Sequence, residues 1–234
     1  MYKERASQVG RIMTNPRSKS EVLSETCKTR IEEKFLEDKF GIKKEFWSKA
    51  MDKGTSEENE SIKLMGRVYN LFGVSKNELN FQNEFLTGTP DVIYNGEIYD
   101  VKSSWSGSTF KWFESDEEID KNYFYQMQSY MELTGLKKAN LVYCLVNAPE
   151  QMIMDEIRRQ AWREGQIEPT DELEDKVRFQ MTFDHIPAEL RVRKFEIEYN
   201  AEIIEAIKAR VVLCDEYYNS LESIINKRIE LCTK

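Results

Sequence analysis

A chain of 234 residues, 40% of them hydrophobic, is long enough and apolar enough for one large domain with a buried core. It has no apolar run that would span a membrane and no signal-peptide core, so a soluble, cytoplasmic protein is expected. A net charge of −8 and a pI of about 5.1 speak against a protein that coats nucleic acid non-specifically, because such binders carry a basic excess.

The charge is unevenly spread. Residues 1–20 carry Lys3, Arg5, Arg11, Arg17 and Lys19 against only Glu4. Ser18 and Glu21 then have capping-box spacing, which predicts a helix to about Phe40, closed near Gly41, with Leu23, Cys27, Ile31, Phe35 and Leu36 facing inward. Lys28, Arg30 and Lys34 alternate with acids, the pattern of a solvated face. A second helix is predicted from a box at Thr55 and Glu58, ending at Gly73. Glu58, Ile62, Met65, Tyr69 and Phe72 fall on one helical stripe, so Glu58 lies on the inward side, as a cap or as a functional acid. Glu57 takes its place if the register shifts by one. Leu79 to Leu86 reads as a strand.

Residues 89–104, TPDVIYNGEIYDVKSS, are the most informative stretch. Asn95-Gly96 predicts a two-residue type I′ turn, since both central positions of that turn need positive φ. Counting outward from it, Tyr94 faces Glu97, Ile93 faces Ile98, Val92 faces Tyr99 and Asp91 faces Asp100. Side chains alternate between faces, so Asp91, Ile93, Ile98, Asp100 and Lys102 share one face and Val92, Tyr94, Tyr99 and Val101 the other. Two carboxylates about 5 Å apart destabilise a sheet unless something neutralises them. A hard divalent cation such as Mg²⁺ would do so. The bland alternative is a solvated hairpin face, although Ile93 and Ile98 on that face argue against it.

Trp105 to Phe113 reads as a loop in which Trp105 and Phe110 are free to stack on bases while Trp112 and Phe113 fill core. Tyr123 to Tyr130 begins a helix ended by Gly135, with Gln126 and Tyr130 one turn apart on one face and Phe124, Met127 and Met131 packing on another. Leu141 to Val146 is a buried strand, Pro149 opens a helix to about Glu164, and Gly165 to Asp175 reads as loop. His185, beside Pro187, is read as structural. Arg191 to Ile197 reads as an edge strand and Ala201 to Leu231 as a long amphipathic helix. Cys27, Cys144, Cys214 and Cys232 form no CxxC pair and are expected as free thiols.

Pro90-Asp91, the hairpin, and Asp100-Val101-Lys102 together resemble the PD-(D/E)XK nuclease signature. Glu58 after Lys53-Gly54, and Gln126-x-x-x-Tyr130, extend the resemblance to the YqaJ-like viral recombinases and phage lambda exonuclease. It spans roughly Arg5 to Tyr199. It implies an α/β fold with a restriction-endonuclease-like core: a mixed central sheet flanked by helices, with a helical N-terminal region and a long C-terminal helix. One domain over 1–234 is expected, with a helical segment 1–50, a catalytic core 51–147 and C-terminal helices and edge strand 148–234.

The resemblance also implies a role for each residue. Glu58, Asp91 and Asp100, with the Val101 carbonyl, would hold one or two Mg²⁺ or Mn²⁺ ions. Lys102 and Gln126 would act on the attacking water and the phosphate. Ser7, Arg11, Arg17, Trp105 and Tyr130 would contact DNA. The implied activity is metal-dependent exonucleolytic digestion of one strand of linear double-stranded DNA, 5′ to 3′, for phage-type recombination. The implied partners are double-stranded DNA ends, a single-strand annealing protein and further copies of the chain in a trimeric ring. An endonuclease on the same core and a non-catalytic DNA-binding module are the competing readings.

Overall fold

The structure, a computed structural model, describes residues 2–44, 53–54, 56–115 and 119–232. The chain enters through β1 (Glu4–Arg5), a 3-10 turn (Ala6–Gln8) and the single-turn helix α1 (Val9–Ile12). Helix α2 (Glu25–Phe40) starts later than expected, and its cap is Ser24 rather than Ser18. Ser24 Oγ accepts the Cys27 amide at 3.0 Å in a buried setting, whereas Ser18 Oγ turns to the exposed Ser20 hydroxyl at 2.8 Å. A capping bond shielded from water wins over one that competes with it. Gly41, at φ 67°, closes the helix as expected.

Helix α3 (Glu58–Val68) carries Glu58 in its first turn. The Thr55 cap expected there lies outside the described residues. The helix stops well before Gly73, because Asn70 already adopts a left-handed φ of 55°. Phe72, expected on the inward stripe, is therefore outside the helix and 84% exposed, while Ile62 and Met65 are buried. The strand expected over Leu79–Leu86 is two, β2 (Phe81–Gln82) and β3 (Leu86–Gly88). Asn83 Oδ1 accepts the amides of Phe85 and Leu86 at 2.9 and 2.8 Å, an Asx-type turn that breaks the run. These strands and β1 form a small sheet in the order β1-β3-β2.

The larger sheet starts with the hairpin of β4 (Val92–Tyr94) and β5 (Glu97–Ser103). Its turn has Asn95 and Gly96 at φ 48° and 80°, and its register is Tyr94 to Glu97, Ile93 to Ile98 and Val92 to Tyr99, as counted from sequence. Helix α4 (Lys121–Thr134), closed by Gly135, crosses to β6 (Lys138–Cys144), which pairs parallel with β5. Helix α5 (Glu150–Arg163) follows Pro149 as expected.

Helix α6 (Asp171–Met181) was not expected, since residues 165–175 read as loop. Thr170 caps it, and its Leu173 and Val177 bury against Ile153, Ile157 and Ala161 of α5. Two apolar residues one turn apart in a charged segment are too sparse a stripe to read without the partner helix. Strand β7 (Val192–Glu198) completes the order β4-β5-β6-β7 at the sheet edge, and α7 (Ala201–Cys232) ends the described chain. No helix among the described residues is long and apolar enough to cross a membrane.

Alternation along β4 and β5 decides what each face of the sheet meets. Val92, Tyr99 and Val101 pack with Ile62, Leu64 and Met65 of α3. Ile98, Leu141, Phe195 and Ile197 pack with Met127, Tyr130 and Met131 of α4. The aspartates of the hairpin thus open toward the α4 side. In a third cluster, α2 and α7 pack through Cys27, Ile31, Ile204, Ile207 and Val211. Cys27, Cys144 and Cys214 are free thiols, and the first and last meet there with sulfurs 3.7 Å apart.

The N-terminal segment is anchored by a buried ion pair. Glu4, fully buried, accepts from Arg30 Nη2 at 2.5 Å and Nε at 3.1 Å, and from the Tyr2 hydroxyl. Arg30, read from sequence as part of a solvated face, is 5% exposed. Arg30→Ala would leave the Glu4 carboxylate buried without its cation. We expect a loss of about 3–5 kcal/mol in urea unfolding. A loss below about 1 kcal/mol would show that the pair is not what anchors this segment.

Candidate active site

Continuing the hairpin register by one residue sets Asp91 against Asp100. Asp91 lies just before β4, where its side chain takes over a backbone role: Oδ2 accepts the Val101 amide at 2.7 Å. Asp100 is completely buried in the middle of β5. Its Oδ1 accepts from Gln126 Nε2 at 3.1 Å, and its Oδ2 stands 2.6 Å from Lys102 Nζ without a well-directed hydrogen bond. Gln126 donates its second amide hydrogen to the Tyr130 hydroxyl at 3.0 Å. Helix α4 thereby ties the base of the site to the strand, and Lys102 lies 5.0 Å from the Tyr123 ring on the same helix.

Glu58, Asp91, Val101, Lys102 and Trp105 line one cavity of about 610 Å³. Glu57 lines a different one, beside Arg67 and Arg191. The helical acid on the cavity is therefore Glu58, and Lys76 holds it at 2.5 Å. Ser61 and Ser103 hydroxyls, 2.7 Å apart, join α3 to the end of β5 behind it.

The electrostatics are those of crowded acids. Burial, then the neighbouring Asp100, pushes the Asp91 carboxyl up to about 7; Glu58 adds to this, and Lys102 and the Val101 amide oppose it. Burial alone would lower the Lys102 ammonium, but Asp100 and Asp91 outweigh it and hold the lysine above its ordinary value. Lys102 is thus a fixed cation at neutral pH.

Oxygen donors of this kind suit a hard divalent cation; here the Asp100 Oδ2 atom is met by the Lys102 ammonium at 2.6 Å. Among the described residues no three acidic, histidine or cysteine side chains are gathered in ligand geometry. Glu58 is held by Lys76 and Asp100 by Lys102. The oxygen donors are of the type that Mg²⁺ or Mn²⁺ takes, and in this arrangement Lys76 and Lys102 neutralise them.

The other candidates are placed unequally. Ser7 is exposed on the N-terminal turn, Arg11 is paired with Glu33 at 2.7 Å, and Arg17 is exposed. Their segment packs directly on α4: an added Cβ at Gly10 would lie 2.6 Å from Asn122 Cα. Tyr130 is buried, and supports Gln126 rather than reaching the cavity. Phe110, expected as a base-stacking ring, is buried against Leu145 and Phe183, and Phe113, expected in the core, is 97% exposed. A loop has no side-chain period to assign its rings, and here contacts with Leu145 and Phe183 decide that Phe110 is the buried one.

Lys53 was not read as functional. It is 1% exposed, and its ammonium donates to the carbonyls of Ser104, Trp105 and Val146 at 3.0, 3.2 and 2.8 Å. Burial pushes it down to about 8. It fixes the loop that leaves β5 for the cavity wall, and nothing in its sequence neighbourhood marks it except the following Gly54.

A hairpin bearing an aspartate pair and a lysine, braced by a helix carrying glutamine and tyrosine on a mixed sheet, resembles the PD-(D/E)XK nuclease arrangement. Among solved structures, a phage-related exonuclease from Haemophilus somnus 129PT is 28% identical over 96% of each chain, with a TM-score of 0.79. LHK-Exo, an alkaline exonuclease from Laribacter hongkongensis, is 17% identical over 98% of this chain and 94% of its own, with a TM-score of 0.64. Its complex with dAMP matches equally well, at TM-score 0.64. No family model and no curated protein matches the chain. The fold of this chain is the one these exonucleases have, and the resemblance to the viral-recombinase branch stands.

Two outcomes follow. A carboxyl whose folded value is raised keeps its proton in the folded state after the unfolded chain has lost it. Asp91 therefore costs the metal-free protein stability progressively as pH rises from about 4 through about 7. Melting in EDTA at pH 5 and pH 7 should show this fall, and Asp91→Asn should flatten it; an equal slope in the variant would reject the assignment. Separately, a Cβ at Gly88 would lie 2.8 Å from Tyr130 Cε1 and 2.9 Å from Ala6 Cβ. Gly88→Ala should cost about 1–3 kcal/mol in urea unfolding and displace the ring that holds Gln126.

Proposed function

We propose that the protein is a divalent-metal-dependent DNA exonuclease that shortens one strand of linear duplex by hydrolysing phosphodiester bonds. The observation that carries this is the Asp91–Asp100–Lys102 constellation on a hairpin, within a fold that matches the Haemophilus exonuclease over 96% of both chains. Glu58, Asp91, Asp100 and the Val101 carbonyl are the residues that would hold Mg²⁺ or Mn²⁺. When bound, the cation supplies a Lewis acid for the scissile phosphate and the attacking water.

The chain's own residues do the rest. The Lys102 ammonium, held charged by both aspartates, faces the cavity and stabilises the negative charge that grows on the phosphorus-bound oxygens. Its part is to orient the attacking water and to stabilise that growing charge. Gln126 holds Asp100 by one amide hydrogen and is itself held by Tyr130. The carboxylate thus keeps one rotamer as charge moves. Lys53 fixes the carbonyls of Ser104 and Trp105, which keeps the cavity wall in place.

By the same resemblance, we assign double-stranded DNA ends as substrate, 5′-to-3′ polarity, a single-strand annealing partner, a three-copy ring and a cytoplasmic location. Ser7, Arg11 and Arg17 are proposed contacts to the end phosphate, with Arg11 exchanging Glu33 for DNA.

Digestion of a linear 5′-phosphorylated duplex with Mg²⁺, beside a closed circle, tests the proposal. The linear substrate alone should be lost. Asp100→Ala should abolish the loss, and Lys102→Ala should slow turnover about 10²–10³-fold. Cleavage of the circle would move the assignment to an endonuclease. No cleavage in Mg²⁺ or Mn²⁺ would refute the enzyme and leave a binding module.

A further inference from the structure

A second cavity, of about 800 Å³, lies against the first, and Trp105 lines both. Its volume is within the range of about 300–1,000 Å³ typical of small-molecule sites. Its walls come from the loop after β5, which it shares with the catalytic cavity, and from α5, α6 and the segment after α6, which the nuclease reading does not use. Trp105, Phe179, Phe183 and His185 line it, with Gln180 and with Gln160, whose Nε2 donates to Glu156 at 2.9 Å. Phe179 and His185 are stacked, with centroids 4.8 Å apart and planes inclined by 17°, yet Phe179 remains 66% exposed. The charged side chains on the wall, Glu156 and Arg159, are paired with each other. The cavity therefore offers flat aromatic faces and amide groups with no net charge, which suits a neutral planar heterocycle that stacks and hydrogen-bonds at its edge.

The wall shared with the catalytic cavity is preorganised. Lys53 holds the Trp105 carbonyl at 3.2 Å and lies 5.3 Å from the Phe183 ring. The Trp112 indole donates to the Gly107 carbonyl at 2.5 Å. Trp105 is the residue common to the walls of the cavity that Lys102 lines and of this one.

We propose that this cavity is a subsite for an unpaired nucleobase of the DNA strand whose phosphate occupies the catalytic cavity, with Trp105 as the divider. The proposal rests on the nuclease reading and adds a base-stacking site to it. It makes the enzyme hold a frayed strand, not only a phosphate. It also gives α5 and α6 a role, since their packing places Phe179 beside His185.

The test uses a short 5′-phosphorylated single strand carrying 2-aminopurine at successive positions, bound to the full chain in EDTA so that no turnover intervenes. We expect 2-aminopurine to be quenched at one position near the 5′ end. Phe179→Ala and His185→Ala should each relieve that quenching, and Phe179→Ala should weaken binding at least about fivefold. An abasic nucleotide at that position should weaken wild-type binding similarly but leave the Phe179→Ala variant unaffected. Both side chains are on the surface, so unchanged thermal melting should accompany these losses. Equal affinity and equal quenching in variants and wild type, beside normal digestion of linear duplex by all three, would overturn the subsite and leave the nuclease. Position-specific quenching without any digestion by the wild type would instead keep the subsite and refute the nuclease.

Discussion

Asp91 and Asp100 face each other across a hairpin, with Asp100 sealed from water. Two carboxylates in that position repel, and desolvation adds to the cost. Each of the surrounding interactions can be understood as an answer to that pair. The Val101 amide is diverted from the ladder to Asp91, Lys102 is drawn to Asp100, and Gln126 spends an amide hydrogen on Asp100. The burial of Tyr130 and the close approach of Gly88 to its ring then keep Gln126 in place. A protein built only for stability would put apolar residues at these positions. Retaining two acids there is a cost that the proposed cation would offset.

The packing of the rest of the core serves that placement. Helix α3 covers one face of the hairpin and brings Glu58 to the cavity mouth, and α4 covers the other and brings Gln126 underneath. The N-terminal segment, which carries Ser7 and Arg11, is held on α4 by the close contact at Gly10 and on α2 by Glu4 and Arg30. The long α7 closes over α2 at the far side. The acidic balance of the chain is consistent with this layout, since the cations at the cavity, Lys102 and Lys76, act locally on carboxylates rather than as a basic surface.

The sequence by itself determined what depends on near neighbours along the chain. A type I′ turn needs positive φ at Asn95 and Gly96, and once that turn is set the strand period forces Asp91, Asp100 and Lys102 onto one face. The helical spacing of Gln126 and Tyr130 and the closure at Gly135 are local in the same sense. Tertiary structure decided what depends on partners distant in sequence. Ser24 rather than Ser18 caps α2 because burial shields its bond. Leu173 and Val177 make a helix because α5 covers them. Phe110 is inside and Phe113 outside because the loop's path is set by Leu145 and Phe183. Lys53 matters because carbonyls from two separate strand ends converge on it. Periodicity and turn chemistry are written in a few adjacent residues, whereas desolvation is a property of whatever the rest of the chain brings near.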